Sequence, residues 1–243
     1  MNNQEFFKQN SSVIEKLGND KEALSQTRNW MEHVSKFEYS YHFTWMGIPI
    51  IQFPQDIVAI QEIIWNVKPD LIIETGIARG GSILFNASIL ELIGGDGLVL
   101  GIDIDIREYN RKEIEAHPMF KRIKMIEGSS VSTEVINQVK EIVKGRKRIL
   151  VILDSNHTHD HVAKEIGLYQ ELVSVGSYLL VFDTIIEDMP PSFSNDRPWT
   201  VGDNPKTAVH EFLKTNSDFI IDRQIQDKLL ITVAPDGYLK RIK

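Results

Sequence analysis

The chain has 243 residues, no cysteine, a net charge of −7, 42% apolar and 25% charged residues. That balance belongs to an ordinary globular protein large enough for one sizeable core. It excludes disulfides, thiolate zinc sites and cysteine nucleophiles, and it gives no broad basic footprint for nucleic acid or anionic membrane. Met1–Asn10 is polar and no apolar run approaches ~18 residues, so neither a signal peptide nor a membrane span is expected and a cytoplasmic location is.

In chain order, residues 1–38 read as amphipathic helix, with Phe6, Phe7, Val13, Ile14, Leu17, Leu24 and Trp30 among polar neighbours. This segment is expected to act as a lid or an oligomer arm, the latter implying a homo-oligomer. Residues 41–54 (YHFTWMGIPIIQFP) are aromatic and interrupted by Gly47, Pro49 and Pro54, which predicts a structured loop. Tyr41, His42 and Trp45 in that loop are candidates for the substrate pocket, or simply for packing. Helical spacing resumes from Pro54 to Val67. The division expected is an N-terminal helical extension with its loop at 1–54 and one domain at 55–243.

From Asp70 onward, short apolar runs alternate with helical segments: Leu71–Ile73, Leu98–Ile104, Ile123–Ile126, Ile149–Leu153, Tyr178–Phe182, Phe219–Ile221 and Leu229–Val233. Runs apolar throughout suit parallel strands covered on both faces. Five βα units followed by a strand pair predict an α/β fold, a doubly wound, mostly parallel seven-stranded sheet of Rossmann-like type. The last two runs are expected to close it as an antiparallel hairpin through Asp222–Lys228. Residues 189–205 hold four of the nine prolines, together with Trp199, a further substrate-facing candidate. A Pro-rich loop of this length inside a compact domain is usually functional or disordered. Asp203, Asn204 and Pro205 provide a capped start for a helix opening at Lys206.

Ligands of such sheets bind beyond the carboxyl ends of the strands. The segment Glu74-Thr75-Gly76-Ile77-Ala78-Arg79-Gly80-Gly81-Ser82 follows the first strand, where glycines permit a tight turn and close approach to a ligand. It lacks the Lys-Ser/Thr ending of a phosphate loop and is not a clean GxGxxG. Glu74, Gly76, Arg79, Gly80, Gly81 and Ser82 are its candidate cofactor contacts; a plain βα turn is the alternative. Asp103, at the end of the second strand, can accept both ribose hydroxyls of a nucleoside cofactor. Ser129 and Ser130, after the third, can meet an adenine edge.

Strand four stops at Asp154-Ser155-Asn156-His157 and strand five at Asp183-Thr184. These ends are neighbours in a doubly wound sheet, so Asp154 and Asp183 converge and suit a hard cation such as Mg²⁺, with Asp154 also beside the cofactor. His157 can act as general base for a hydroxyl, or it can cap the following helix. His159 and His161 are expected as exposed helix residues. A zinc site from His157 and His161 is allowed by spacing but is weaker than the carboxylate pair. Glu187, downstream, is a candidate third metal ligand.

Together these stretches resemble the cephalosporin hydroxylase / rhamnosyl O-methyltransferase family. The likeness lies in Thr44-Trp45-Met46-Gly47-Ile48-Pro49 with Gln52, Pro54 and Asp56; in Gln61-Glu62; and in Pro69–Gly76 through Gly80-Gly81-Ser82. It continues through Gly101-Ile102-Asp103-Ile104-Asp105, Gly128-Ser129-Ser130, Leu153–His157 and Asp183-Thr184, and spans roughly residues 40–235. The resemblance implies a class I methyltransferase fold, S-adenosylmethionine as cofactor and often Mg²⁺. It implies cofactor contacts at Glu74, Gly76, Gly80, Ser82, Asp103 and Ser130. The site layout is also similar to catechol and macrolide-sugar O-methyltransferases, which implies metal at Asp154 and a base at His157. The acidic pair after strand five maps onto Phe182 and Asp183, so one protein ligand is missing. Hydroxylation, suggested by half of the family name, needs a redox metal or flavin, and no 2-His-1-carboxylate pattern is evident. The function expected is O-methylation of a sugar hydroxyl in a glycan, glycolipid or sugar-bearing metabolite, with Mg²⁺ assistance. The alternatives are a metal-free methyltransferase, a nucleotide-dependent oxidoreductase and a non-catalytic member of the fold.

Overall fold

The computed structural model describes residues 2–243. Two helices lead: α1 (Asn3–Gly18), opened by an Asn2/Glu5 capping box, and α2 (Lys21–Ser35), capped by Asp20. A short hairpin follows, β1 (Phe43–Trp45) and β2 (Ile48–Ile50), so the expected aromatic loop contains a strand pair turning at Met46-Gly47. Then come α3 (Pro54–Val67), β3 (Leu71–Thr75), α4 (Gly81–Ile93), β4 (Leu98–Asp103), α5 (Glu108–Ala116), β5 (Ile123–Glu127), α6 (Thr133–Val143) and β6 (Ile149–Leu153). The chain ends with α7 (His159–Tyr169), β7 (Tyr178–Val181), α8 (Pro205–Thr215), β8 (Phe219–Ile221), α9 (Arg223–Leu229) and β9 (Tyr238–Arg241).

Seven strands form one sheet in the order β5-β4-β3-β6-β7-β9-β8, with β9 antiparallel to both its neighbours and the other pairs parallel. The order reverses between β3 and β6, the switch point where such sheets bind ligands. Alternate residues feed opposite layers. Ile72, Leu150, Ile152 and Leu180 pack with α3 and α4, whereas Leu71, Ile73, Val151, Leu153 and Leu179 pack with α6, α7 and α8. Both faces are dry, which is why these strands read as unbroken apolar runs.

Two expectations fail at the C-terminal end. Leu229–Val233 is not a strand, and Asp222–Lys228 is not a hairpin turn but the N-cap and most of α9. This segment is fastened to Asp56, buried on α3. Its carboxylate accepts from Thr232 Oγ1 at 2.5 Å, from the Val233 amide at 3.0 Å and from Tyr238 Oη at 2.6 Å. The antiparallel strand forms instead at Tyr238–Arg241.

The N-terminal segment packs against the segments that follow β7 and precede β9. Met31 of α2 is buried with Phe53, Ile185 and Met189, and Trp30 and Phe53 close around Tyr39. Gly81 opens α4 directly beneath the hairpin, where a β-carbon would collide with the Pro49 carbonyl and Ile50. Among the described residues no helix is long and apolar enough to cross a membrane.

Candidate active site

Asp154, His157 and Asp183 meet where β6 and β7 end, each offering a ligand atom within 4.8 Å of the others. His157 Nε2 lies 3.0 Å from Asp183 Oδ2. Asp183 occupies the left-handed region at φ 55°, a strained position for a non-glycine residue that turns its carboxylate back toward His157. Asp154 accepts a hydrogen bond from Gln52 Nε2 at 3.2 Å. Burial, then the neighbouring Asp183, holds its pKa well above the ordinary carboxylate value. Trp199 stands edge-on to the imidazole of His157, with ring centroids 4.7 Å apart.

His157 is not a helix cap. α7 begins at His159 with Thr158 as its N-cap, and Asn156 Oδ1 accepts from the Thr158 amide and hydroxyl. Phe182 is buried in the core and offers nothing to a cation. Glu187 departs from the metal-ligand expectation: its Oε2 accepts from the Gly202 amide at 2.8 Å and from Asn204 Nδ2 at 2.5 Å, and it lies outside the Asp154 cluster. Its carboxylate latches the Pro-rich loop to the capped start of α8.

Beside this corner a cavity of about 200 Å³ is lined by Gly76, Asp103, Ser129, Ser130, Ser155, Asn156 and His161, with Ile102, Ile104 and Gly128. Gly76 has φ 92°, and a β-carbon there would strike the Asp154 carbonyl, so glycine is what lets the ends of β3 and β6 touch. Asp103 Oδ2 accepts from the amides of Ile77 at 2.7 Å and Ala78 at 3.1 Å, fixing the turn after β3. A second cavity, of about 470 Å³, adjoins at Asp103 and is lined by Tyr41, Ile51, Ala78, Arg79, Asp105, Arg107 and Asn110.

The structure thus gathers Gly76, Asp103, Ser129 and Ser130 around one cavity, and Arg79 and Tyr41 around the next. Other candidates lie elsewhere. Glu74 is buried and faces α4, where its carboxylate accepts from Ser82 Oγ and, at 2.7 Å, from Asn86 Nδ2. Burial raises its pKa to about 7. Gly80 packs on Ile114 and Gly81 on the hairpin, so these two glycines serve backbone packing. Trp45 donates its indole N–H to Ser88 Oγ at 3.0 Å and stands edge-on to Phe85, a packing role, while His42 is exposed beside Tyr39.

A family model described as "Rhamnosyl O-methyltransferase/CmcI" matches residues 37–242. The rhamnosyl O-methyltransferase of Mycobacterium leprae (strain TN) is 31% identical over 202 residues, covering 82% of this chain and 82% of its own. That of Mycobacterium tuberculosis (strain ATCC 25618 / H37Rv) is 31% identical over 203 residues, covering 82% and 78%. The chain belongs to the rhamnosyl O-methyltransferase/CmcI family. Solved structures agree on the fold. A CmcI apo-structure superposes with TM-score 0.58 at 16% identity, over 84% of this chain and 77% of its own. The O-methyltransferase TomG from Streptomyces achromogenes, in complex with SAM, gives TM-score 0.56 at 15% identity, over 92% and 91%. The sheet and its helical layers are those of this methyltransferase fold.

Within this family member, sequence reasoning missed His161. It is not an exposed helix residue: its side chain is 22% exposed and it lines the first cavity. Its Nε2 lies 3.2 Å from Ser130 Oγ and 3.3 Å from Ser155 Oγ. The available signal was the i, i+4 spacing of His161 and Glu165, which puts both on one face of α7.

Proposed function

We propose that this chain is an S-adenosylmethionine-dependent O-methyltransferase acting on a sugar hydroxyl. Curated relatives that are rhamnosyl O-methyltransferases support the reaction class. The observation that carries the reading is the meeting of a paired His157–Asp183 and Asp154 with a cavity of about 200 Å³ at the switch point. In this reading, Asp103, Ser129 and Ser130 hold the adenosine half of the cofactor and the turn after β3 bounds the sulfonium end. His157 takes the proton of the acceptor hydroxyl as its oxygen attacks the methyl carbon; the C–S bond breaks, and its electron pair stays on sulfur as the thioether. Such a transfer needs in-line approach, so holding both reactants supplies much of the rate. Trp199 and the Pro-rich loop cover the acceptor side, and Tyr41 lines the neighbouring cavity. Residues 1–54 serve as an extension that closes the acceptor side of the domain at 55–243. The exposed Phe6, Phe7 and Val13 of α1 support a homo-oligomer.

The residues fit a hard divalent cation. Asp154 and Asp183 repel one another, and among the described residues neither forms an ion pair with a Lys or Arg. Asp154 and Asp183 would hold Mg²⁺, which would lower the pKa of a bound acceptor hydroxyl. CmcI with Mg-SAM, at TM-score 0.56 and 17% identity, is a member of the same fold. A second reading is metal-free transfer, favoured by the 3.0 Å His157–Asp183 contact, in which Asp183 orients the base instead. Methyl transfer from labelled S-adenosylmethionine to a panel of deoxysugar glycosides tests the main reading. Turnover on sugar hydroxyls is expected, with loss in His157→Ala; no turnover, together with preferential binding of NAD, would overturn it.

A further inference from the structure

Glu165 of α7 is fully buried, carries no Lys or Arg partner among the described residues, and leaves its Oε2 without a hydrogen bond. Its Oε1 accepts the hydroxyl of Ser155 at 2.8 Å and lies 3.5 Å from His161 Nε2. A carboxylate oxygen facing that nitrogen favours a proton on it, because a lone pair there would be repelled. With that tautomer the one Nε2–H is shared among Glu165 Oε1, Ser155 Oγ at 3.3 Å and, nearest, Ser130 Oγ at 3.2 Å. Tyr169 Oη fixes the Ser130 backbone by donating to its carbonyl at 2.8 Å.

These bonds set the polarity of two hydroxyls on the wall of the first cavity. The Ser155 proton is committed to Glu165, so its oxygen faces the cavity as an acceptor. The Ser130 oxygen is used by His161, so its proton is free to donate. One acceptor beside one donor matches the amino-pyrimidine edge of adenine, with its 6-amino donor and N1 acceptor. It opposes hypoxanthine, which presents a 6-oxo acceptor and an N1–H donor.

We propose that the Glu165–Ser155–His161–Ser130 chain is the base-selecting device of this site, tuned to a 6-aminopurine. The proposal rests on the cofactor reading above and deepens it. Glu165 and His161 are positioning residues that act through the two serines. A buried polar pair met by the wrong edge leaves donors and acceptors unpaired, and sites built this way discriminate strongly.

The test is calorimetric binding of S-adenosylhomocysteine and S-inosylhomocysteine to the full chain. Wild type is expected to prefer the adenosyl compound by at least about tenfold. Ser155→Ala and Glu165→Leu, which removes the acceptor for the Ser155 proton, should lower that ratio to within about threefold of unity. Ser155 is exposed at the cavity wall, so its variant remains informative if loss of buried Glu165 impairs folding. Equal wild-type affinities for the two ligands, or an unchanged ratio in Ser155→Ala, would overturn the selecting device and leave the cofactor reading standing. Failure of both ligands to bind would overturn both.

Discussion

His157 and Asp183 are held as a hydrogen-bonded pair by a residue that adopts a strained backbone, Asp183 at φ 55°. Strain of this kind persists only where surrounding structure enforces it, and it clusters at functional sites. General-base catalysis contributes typically 10²- to 10⁴-fold, so His157→Ala is expected to lower kcat by about that factor with little change in cofactor affinity. Steady-state kinetics beside calorimetry with S-adenosylhomocysteine checks it. A kcat within twofold of wild type would remove His157 from the chemistry.

The same pair separates the metal-assisted and metal-free readings. Asp154, with its pKa raised by burial and by Asp183, is a carboxyl whose ionised form is disfavoured in the folded state. Such a group stabilises the fold below the unfolded pKa, and that contribution is lost as pH rises through the folded value. A bound cation reverses the penalty. Mg²⁺ at 100 times its Kd should therefore stabilise the protein by about 2.7 kcal/mol near neutral or higher pH, read as a rise in Tm. Asp154→Asn should abolish the rise. Full activity after exhaustive chelation, with no Mg²⁺-dependent shift in Tm, would favour Asp183 as orienter of the base alone.

How much of this was legible beforehand follows from where the information lies. Apolar runs mark β3, β4, β6 and β7 because both faces of those strands are buried, and the carboxylates ending β6 and β7 follow from topology. The C-terminal strand was not legible, since the segment before it is tied by its Val233 amide to Asp56, a partner distant in sequence. Glu74, expected at the cofactor, bonds Ser82 and Asn86, Gly81 packs on the hairpin, and for Trp45 the packing alternative fits its contacts. Motif position suggests a ligand, but the side-chain direction is decided by packing on α4. His161 was hidden because helical periodicity shows a shared face, not what that face meets.

Glu74 carries its own prediction. Its pKa of about 7, against an ordinary 4.5, means that the neutral form is favoured in the fold. Its stabilising contribution is complete below about pH 4.5 and is lost as pH rises through about 7, a swing on the order of 3 kcal/mol at 1.36 kcal/mol per pKa unit. Glu74→Gln should flatten the stability–pH curve across that window. Gln can still accept from Ser82, and with the Asn86 amide turned over its own amide can donate to Asn86 Oδ1, which is buried without a partner. Urea denaturation at pH 5 and pH 8 measures the effect. An unchanged pH dependence in the variant would show that Glu74 is already ionised in the fold.

Asp103 ties two functions together, because the carboxylate that fixes the turn after β3 also lines both cavities. Asp103→Ala is expected to weaken S-adenosylhomocysteine by 10- to 100-fold, since charge-assisted hydrogen bonds contribute about 1.5–3 kcal/mol each. Asp103→Asn keeps an acceptor for one amide and should lose less. Equal affinities for wild type and Asp103→Ala would move the ribose elsewhere.

The Pro-rich loop is fastened at its far end by Glu187, which holds Gly202 and Asn204, and it reaches the base through Trp199. Releasing the latch leaves Trp199 without a fixed position over the acceptor side, but it touches nothing in the first cavity. Glu187→Ala should therefore raise KM for the sugar acceptor by roughly tenfold or more, with S-adenosylhomocysteine affinity within twofold of wild type. Trp199→Ala should reproduce the KM effect without the loop becoming more protease-sensitive, whereas Glu187→Ala should show both. The two variants together separate the contact from the latch. If acceptor KM is unmoved in Trp199→Ala, the tryptophan only shields His157, and the acceptor must be gripped from the Tyr41 side.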